Sequence, residues 1–122
     1  MKTILIADDN PVSRELVVEA LGDEWTVIEA VDGASAVARF REHPPDLALI
    51  DIQMPSLNGF AVLHSIQEDA RARKIPVLAL TAFAMQGDRE RAIEAGFDAY
   101  ITKPVDIAAL RIQIRLLLTN QK

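Results

Sequence analysis

The sequence contains no cysteine, only two histidines and no long apolar segment. Without cysteine, disulfide bonds, thiolate zinc sites and a cysteine nucleophile are excluded. The apolar runs at 4–7 and 77–80 are much shorter than a membrane-spanning helix or the core of a signal peptide. We therefore expect a soluble, cytoplasmic protein without membrane association, in which any metal ion is bound by oxygen or histidine ligands.

Basic residues are in the minority. The 122 residues include 13 Lys and Arg against 18 Asp and Glu, a formal net charge of −5. Because direct binding to nucleic acid needs a basic surface that displaces counterions from phosphates, we expect no nucleic-acid partner. The length corresponds to one domain, so residues 1–122 are expected to form a single unit without linker or repeat.

The hydrophobic pattern alternates between short apolar runs and longer stretches with helical spacing. The predicted strands are 3–7, 25–30, 47–50, 76–80 and 99–101. Several of these runs lack polar alternation, which is typical of strands covered on both faces in a parallel sheet. Five strand–helix units therefore predict an α/β fold, a doubly wound five-stranded parallel sheet with five helices on its two faces.

Capping residues and apolar spacing define the predicted helices. Asn10 is expected to cap the first helix, Pro11 to occupy its first position and Gly22 to end it. The expected core stripe of this helix is Val12, Leu16, Val17, Ala20 and Leu21. The second helix is predicted from the apolar residues Ala34, Val37, Ala38 and Phe40. The third is expected to start near Gly59 and is predicted from Phe60, Leu63, Ile66 and Ala70. The fourth is predicted over 88–95, and the fifth after Pro104 with Asp106 as its cap.

Polar residues lie directly at or after the ends of four predicted strands. Asp8 and Asp9 follow the first strand, Asp51 the third, Thr81 the fourth and Lys103 the fifth. In a doubly wound sheet, loops from different units converge at the carboxyl ends of the strands. Three carboxylates brought together there repel one another unless a cation compensates, and hard oxygen ligands suit Mg²⁺. The sequence therefore predicts a magnesium site at this edge.

Each of these residues also has an ordinary structural explanation. Asp8 and Asp9 would be favourable near a helix amino terminus, Asp51 could be a loop carboxylate, Thr81 a cap and Lys103 part of a solvated turn. Their joint occurrence at neighbouring strand ends favours the functional interpretation. His43, His64 and Trp25 are not at strand ends, and we interpret them as surface or packing residues.

Four segments of the chain match a known family. They are 4–10, 46–55 together with 58–59, 76–82 and 100–104. On these segments the sequence resembles the CheY-like receiver domain of two-component response regulators, over essentially its whole length. The resemblance implies a flavodoxin-like sheet with strand order 2-1-3-4-5.

The resemblance also implies the ligands and the phosphoacceptor. Asp51 corresponds to the residue that is phosphorylated, and Asp9 and Asp51 to direct ligands of Mg²⁺. Asp8 is expected to act on the metal largely through water. The backbone carbonyl of Gln53 corresponds to the remaining protein ligand.

Three further roles follow from the same resemblance. Thr81 corresponds to the hydroxyl residue that contacts the phosphoryl group, and Lys103 to the cation that pairs with it. The peptide bond between Lys103 and Pro104 is expected to be cis. Tyr100 corresponds to an aromatic switch residue, expected to turn inward when Thr81 is drawn toward the phosphoryl group.

The function expected from this resemblance is that of a stand-alone receiver. A histidine kinase or a histidine phosphotransfer protein would donate the phosphoryl group to Asp51, and the signal would pass to a downstream protein target. Segment 81–90 also resembles receivers of hybrid kinases, so an excised receiver remains an alternative, although Met1 directly before the first strand favours a whole protein.

Two other classes fit the sequence less well. A haloacid-dehalogenase-type aspartyl-phosphate hydrolase places a second aspartate two residues past its nucleophile, where this chain has Gln53. A flavin or nucleotide carrier needs a glycine- or hydroxyl-rich first loop to bind phosphate, whereas the first loop here begins with Asp8 and Asp9.

The last helix has two apolar stripes. Ile107, Leu110, Ile114 and Leu117 form the expected core stripe at about 100° per residue. Ala109, Ile112 and Leu116 fall on the opposite side, with Arg111 and Arg115 between. We predict that Ile112 and Leu116, together with Tyr100 and the fourth helix, form a protein-binding or homodimer surface.

Overall fold

The computed structural model describes residues 1–69, 71, 75–82 and 86–119. In this part of the chain, strands and helices alternate in the order β1 (Thr3–Ala7), α1 (Pro11–Leu21), β2 (Thr26–Ala30), α2 (Gly33–Glu42), β3 (Leu47–Asp51), α3 (Gly59–Gln67), β4 (Val77–Thr81), α4 (Asp88–Ala95), β5 (Ala99–Thr102) and α5 (Ile107–Thr119). All neighbouring strands pair in parallel, in the order β2-β1-β3-β4-β5. The predicted fold is confirmed.

The core consists of two apolar layers, one on each face of the sheet. Along β1, Leu5 and Ala7 face the layer that α2, α3 and α4 cover. Ile4 and Ile6 face the opposite layer, which α1 and α5 cover. β1, β3 and β4 are thus buried on both sides, which explains the missing polar alternation. No helix in the described part of the chain is long and apolar enough to cross a membrane.

The predicted helix caps are present. The Asn10 side chain accepts hydrogen bonds from two backbone N–H groups of the first turn of α1, with Pro11 at the first position. The Asp106 carboxylate accepts a bond from the Ala109 N–H in the same way. Such a cap contributes about 1 kcal/mol of stability. Gly22 ends α1 with an ordinary right-handed φ of −68°, so its left-handed freedom is not used there.

The core stripes of two helices differ from the predictions. Val12 and Leu16 in α1 are 76% and 53% exposed, and the buried residues are Val17 and Leu21. A helix on a sheet buries only the narrow row of residues that faces the strands. The apolar residues of α1 span a wider arc of the helix than this row, so some of them are exposed. In α2, two of the apolar residues that predicted the helix, Ala34 and Ala38, are exposed, while Gly33, Ala36, Val37 and Phe40 are buried.

Several strand ends also differ by one residue. β3 and β4 include Asp51 and Thr81, because ladder hydrogen bonding continues to the Ile52 N–H, 2.8 Å from the Leu80 carbonyl oxygen. β2 begins at Thr26 rather than Trp25, and β5 extends to Thr102. The predictions for Ala70 and for 83–85 lie outside the described residues.

The orientation predicted for α5 is confirmed. Leu110 and Ile114 are fully buried against the sheet. Ile112 and Leu116 are 56% and 55% exposed on the far side of the helix. Trp25 is 5% exposed and packs in the same layer, beneath the guanidinium groups of Arg111 and Arg115.

Candidate functional site

Three carboxylates meet at the carboxyl edge of the sheet. Asp8 directly follows β1 and Asp51 ends the neighbouring strand β3, so the parallel pairing of these strands places both at one edge. Asp9 is the next residue in the β1–α1 loop. One oxygen from each carboxylate lies within 4.8 Å of the others, with Asp8 and Asp51 buried and Asp9 exposed. The three groups can therefore contact a single ion.

Lys103 supplies the positive charge of the site. Its backbone N–H donates to the Thr81 carbonyl oxygen at 2.8 Å, which fixes the chain beyond β5, and its peptide bond to Pro104 is cis. The Nζ atom lies 2.8 Å from Asp51 Oδ2 and 2.9 Å from Asp8 Oδ2. With its side chain only 16% exposed, the ammonium group bridges two carboxylates away from bulk water.

The electrostatics of the two buried carboxylates differ. Burial raises the pKa of Asp51 above its usual value, and the nearby Asp8 charge also raises it. The Lys103 ammonium and the Gln53 N–H lower this pKa, but their effect is smaller. Burial also opposes ionisation of Asp8, but the Asn10 N–H and Lys103 outweigh it, and the pKa of Asp8 is lowered. Burial likewise opposes the charge on Lys103, yet the two carboxylates raise its pKa.

The donor set fits a divalent cation. Asp8 Oδ1 accepts the Asn10 N–H at 2.9 Å, whereas the buried Oδ2, although close to the Lys103 ammonium, has no directed hydrogen bond from the described residues. Beside its ion pair with Lys103, this oxygen keeps a lone pair that can meet an ion or the water bound to it. Oxygen ligands without sulfur or imidazole favour Mg²⁺. The acidic cluster is thus typical of a magnesium site.

Gln53 and Thr81 lie beside the proposed acceptor. The Gln53 N–H donates to Asp51 Oδ1 at 2.9 Å, so the turn after β3 orients the Asp51 carboxylate. Thr81 ends β4, next to β3, and is 2% exposed. Ala82 is exposed and small, so its side chain leaves space at the entrance to this edge.

Tyr100 lies on the α4 side of the sheet, against the layer under α2, α3 and α4. Its hydroxyl group is buried and has no hydrogen-bond partner among the described residues. Burial raises the pKa of this phenol, and the charge of Asp88 adds to the effect. A cavity of about 220 Å³ has both Tyr100 and Thr81 in its lining, together with Asp88 and Phe60. The two residues predicted to act together therefore border one space.

Ile112 and Leu116 are not brought into the carboxylate site. They lie on the outer side of α5, whereas Tyr100 faces the opposite layer of the sheet, with the edge strand β5 between them. His43 and His64 are both exposed, as expected for surface residues.

Two residues near the site were assigned no role in the site by the sequence analysis. A Cβ atom on Gly59 would lie 2.6 Å from the Ile52 Cα and 2.8 Å from the Asp51 carbonyl oxygen, so glycine lets α3 approach the acceptor turn. Arg14 Nη1 donates to the Asp8 carbonyl oxygen at 2.8 Å. The Asn58-Gly59 pair was visible in the sequence as a helix start, but neither contact has a local sequence signal.

Comparison with known proteins gives a family for this arrangement. The family model of the response regulator receiver domain matches residues 4–115. Among curated proteins, the polar-differentiation response regulator DivK of Brucella ovis is 42% identical over 109 residues, which cover 87% of each chain. The residues matched by the family model include the three carboxylates, Thr81, Tyr100 and Lys103.

Solved structures agree. The receiver domain of the Francisella response regulator 1452 is 25% identical, with a TM-score of 0.91 and full coverage of both chains. The receiver domain of sensor histidine kinase PA1611 from Pseudomonas aeruginosa, with a magnesium ion coordinated in its active-site cleft, is 32% identical, with a TM-score of 0.90 over 98% of both chains. The chain therefore belongs to the response regulator receiver domain family, the CheY-like phosphoacceptor modules of two-component signalling, whose partners are histidine kinases.

Proposed function

We propose that the protein accepts a phosphoryl group on Asp51 from a phosphohistidine of a histidine kinase or of a histidine phosphotransfer protein. The observation that carries this proposal is the position of the Asp51 carboxylate, buried at the carboxyl edge of the sheet between two further carboxylates and the Lys103 ammonium. A carboxylate in this setting is oriented by its neighbours and lies at the edge where ligands of such sheets bind.

The proposed step forms an anhydride. A carboxylate oxygen of Asp51 attacks phosphorus, the phosphorus–nitrogen bond of the donor breaks, and the imidazole nitrogen keeps the electron pair and takes a proton from water. Lys103 offsets the charge on the equatorial phosphoryl oxygens, and the Thr81 hydroxyl donates to one of them. Mg²⁺, bound by Asp9, Asp51 and the Gln53 carbonyl with Asp8 acting through water, would add positive charge there.

The donor is proposed to dock on α1. Val12 and Leu16 are exposed apolar residues one helical turn apart, and this helix begins at Pro11, with only its cap Asn10 between it and Asp9. A phosphohistidine that reaches Asp51 must approach this edge of the sheet. Exposed apolar residues beside a reactive edge are typical of a protein-binding surface.

The proposed switch couples Thr81 to Tyr100. The cavity of about 220 Å³ that both residues line offers room for the ring once the Thr81 hydroxyl turns toward a phosphoryl group. Because Tyr100 is the single tyrosine, fluorotyrosine labelling gives one fluorine NMR signal that reports on this ring. Addition of beryllofluoride, a phosphoryl mimic, should shift that signal, and an unchanged signal would contradict the coupling.

The output is proposed to be a protein contact. Ile112 and Leu116, with Tyr100 and α4, would bind a downstream protein or a second copy of the chain. We further propose that residues 1–122 act in the cytoplasm as a stand-alone receiver, without direct contact to nucleic acid. The similarity to DivK, which aligns with this chain over 87% of its own length, supports the assignment as a response regulator receiver.

Intact-mass measurement tests the phosphoacceptor reaction. Incubation with acetyl phosphate and Mg²⁺ should add one phosphoryl group, because acetate is a leaving group that needs no partner protein. Asp51→Asn should prevent the addition, and so should EDTA. An unchanged yield in the variant or in EDTA would contradict the proposal.

A further inference from the structure

Arg14 connects the acidic loop to the edge strand. It lies in the first turns of α1, and its side chain is only 16% exposed. The guanidinium Nη1 donates to the Asp8 carbonyl oxygen at 2.8 Å, and Nε donates to Glu29 Oε1 of β2 at 3.1 Å. Because the planar guanidinium makes both contacts at once, Glu29 fixes the direction in which Arg14 points.

These contacts hold the peptide group between Asp8 and Asp9. The Asp8 N–H donates to the Ala30 carbonyl oxygen at 3.1 Å, and the Asp8 carbonyl accepts from Arg14. The backbone on both sides of the Asp8 Cα is therefore fixed. By contrast, the exposed Asp9 carboxylate receives no hydrogen bond or ion pair from the described residues. Its direction depends on the peptide group that precedes it.

We infer that Arg14 is a positioning residue for the cation, because it fixes the Asp8–Asp9 peptide group and thereby directs the Asp9 carboxylate into the site. This inference rests on the proposed function, since it requires that the three carboxylates bind Mg²⁺. Removal of Arg14 lets the peptide group rotate, so that Asp9 must be ordered anew each time an ion binds.

The charge of Arg14 has the opposite effect. A guanidinium near a cation site repels the cation, although Glu29 offsets part of this charge. If charge were the main effect, Arg14→Ala would tighten Mg²⁺ binding. If positioning is the main effect, the same substitution weakens binding. The sign of the change in affinity therefore decides between the two.

Calorimetric titration with magnesium chloride measures this sign. Removal of groups that orient metal ligands typically weakens binding by about 10–100-fold. Because Arg14 contacts the peptide next to the ligand and not the ligand itself, we expect the Kd for Mg²⁺ to rise by about 10-fold in Arg14→Ala. Arg14→Lys keeps the charge without the double contact, and its Kd should also rise, by roughly 3-fold.

Arg115→Ala is the matched control. Arg115 also pairs with a glutamate, Glu24, at 2.6 and 2.9 Å, but at the amino end of the strands. The Arg115→Ala variant removes the same charge and one ion pair. Its Kd for Mg²⁺ should stay within about 2-fold of wild type, because salt screens a charge at the opposite end of the strands from the carboxylates. Urea unfolding in EDTA measures the stability of each variant without the ion.

A second measurement separates positioning from general damage. The rate of phosphorylation by acetyl phosphate is followed as Mg²⁺ is increased. In Arg14→Ala the half-saturating Mg²⁺ concentration should rise with the Kd, while the rate at saturation stays near wild type, because Arg14 contacts neither Asp51 nor Lys103.

Three results would overturn the inference. They are an unchanged or lower Kd in both Arg14 variants, an equal rise in Arg115→Ala, or a saturated rate that falls by the same factor as the affinity. If Arg14→Ala does not fold, Arg14→Lys alone decides by the same criteria. If the wild-type protein itself binds no Mg²⁺, the proposed function fails instead.

Discussion

Replacing Gly59 by alanine would place a methyl group against the backbone that holds the proposed acceptor. The added Cβ would lie 2.6 Å from the Ile52 Cα and 2.8 Å from the Asp51 carbonyl oxygen. Both neighbours are main-chain atoms, so no side-chain rotation relieves the contact. To reach an ordinary separation of 3.4 Å, the Asp51 carbonyl must recede by about 0.6 Å.

The effect on stability is the difference of two terms. Overpacking of this kind costs about 1–3 kcal/mol, while alanine in place of glycine in a helix gains at most about 1 kcal/mol. We expect a net loss of about 1 kcal/mol in the free energy of unfolding. The effect on reaction is larger, because a misplacement of about 1 Å can slow a positioned reaction by about 100-fold. A shift of about 0.6 Å should slow phosphorylation by roughly 10-fold.

Gly33→Ala is the matched control for this substitution. A Cβ there would lie 2.1 Å from the Leu57 carbonyl oxygen, a worse contact, but one that involves no atom of the three carboxylates or Lys103. Urea unfolding should show that both variants are destabilised. Acetyl-phosphate kinetics should show that, relative to its loss of unfolding free energy, Gly59→Ala loses more of its phosphorylation rate than Gly33→Ala. Full phosphorylation rates in a destabilised Gly59→Ala would refute the argument.

Three further predictions concern the proposed surfaces and switch. Changing both Ile112 and Leu116 to Glu should leave the free energy of unfolding in urea within about 1 kcal/mol of wild type and acetyl-phosphate reactivity intact, because both residues are exposed. The same change should weaken pull-down of partners or phosphorylation-dependent self-association. Unfolding of this variant would mean that the two residues belong to the core. Leu16→Asp should slow transfer from a phosphohistidine protein about 10-fold or more while leaving acetyl-phosphate kinetics unchanged, and equal slowing of both would contradict the docking surface. Thr81→Val should abolish the beryllofluoride-dependent shift of the Tyr100 fluorine signal, and a full shift in that variant would refute the coupling.

Most of the fold could be predicted because its signals are local. The strands of the sheet interior are apolar on both faces, and residues such as Asn10 and Asp106 mark helix starts by hydrogen bonds within one turn. Once a parallel sheet is predicted, its carboxyl edge follows, and with it the proximity of Asp8, Asp51 and Lys103. The acidic cluster could therefore be located from the sequence.

Other features depend on how the elements meet in space. The sequence does not show how wide a row of α1 contacts the sheet, so Val12 and Leu16 were assigned to the core although they are exposed. Arg14 is 15 residues from Glu29 and acts on a main-chain oxygen, a contact that leaves no local pattern. Gly59 is recognisable as a helix start, but its close approach to Asp51 requires the packing of α3.

The most direct test of the central claim is to locate the phosphoryl group. Borohydride reduces an aspartyl phosphate to homoserine, and peptide mass spectrometry after treatment with acetyl phosphate and Mg²⁺ identifies the converted residue. We predict homoserine at position 51 and unchanged aspartate at positions 8 and 9. Conversion at another position, or none in a protein that binds Mg²⁺, would contradict the assignment of Asp51 as the phosphoacceptor.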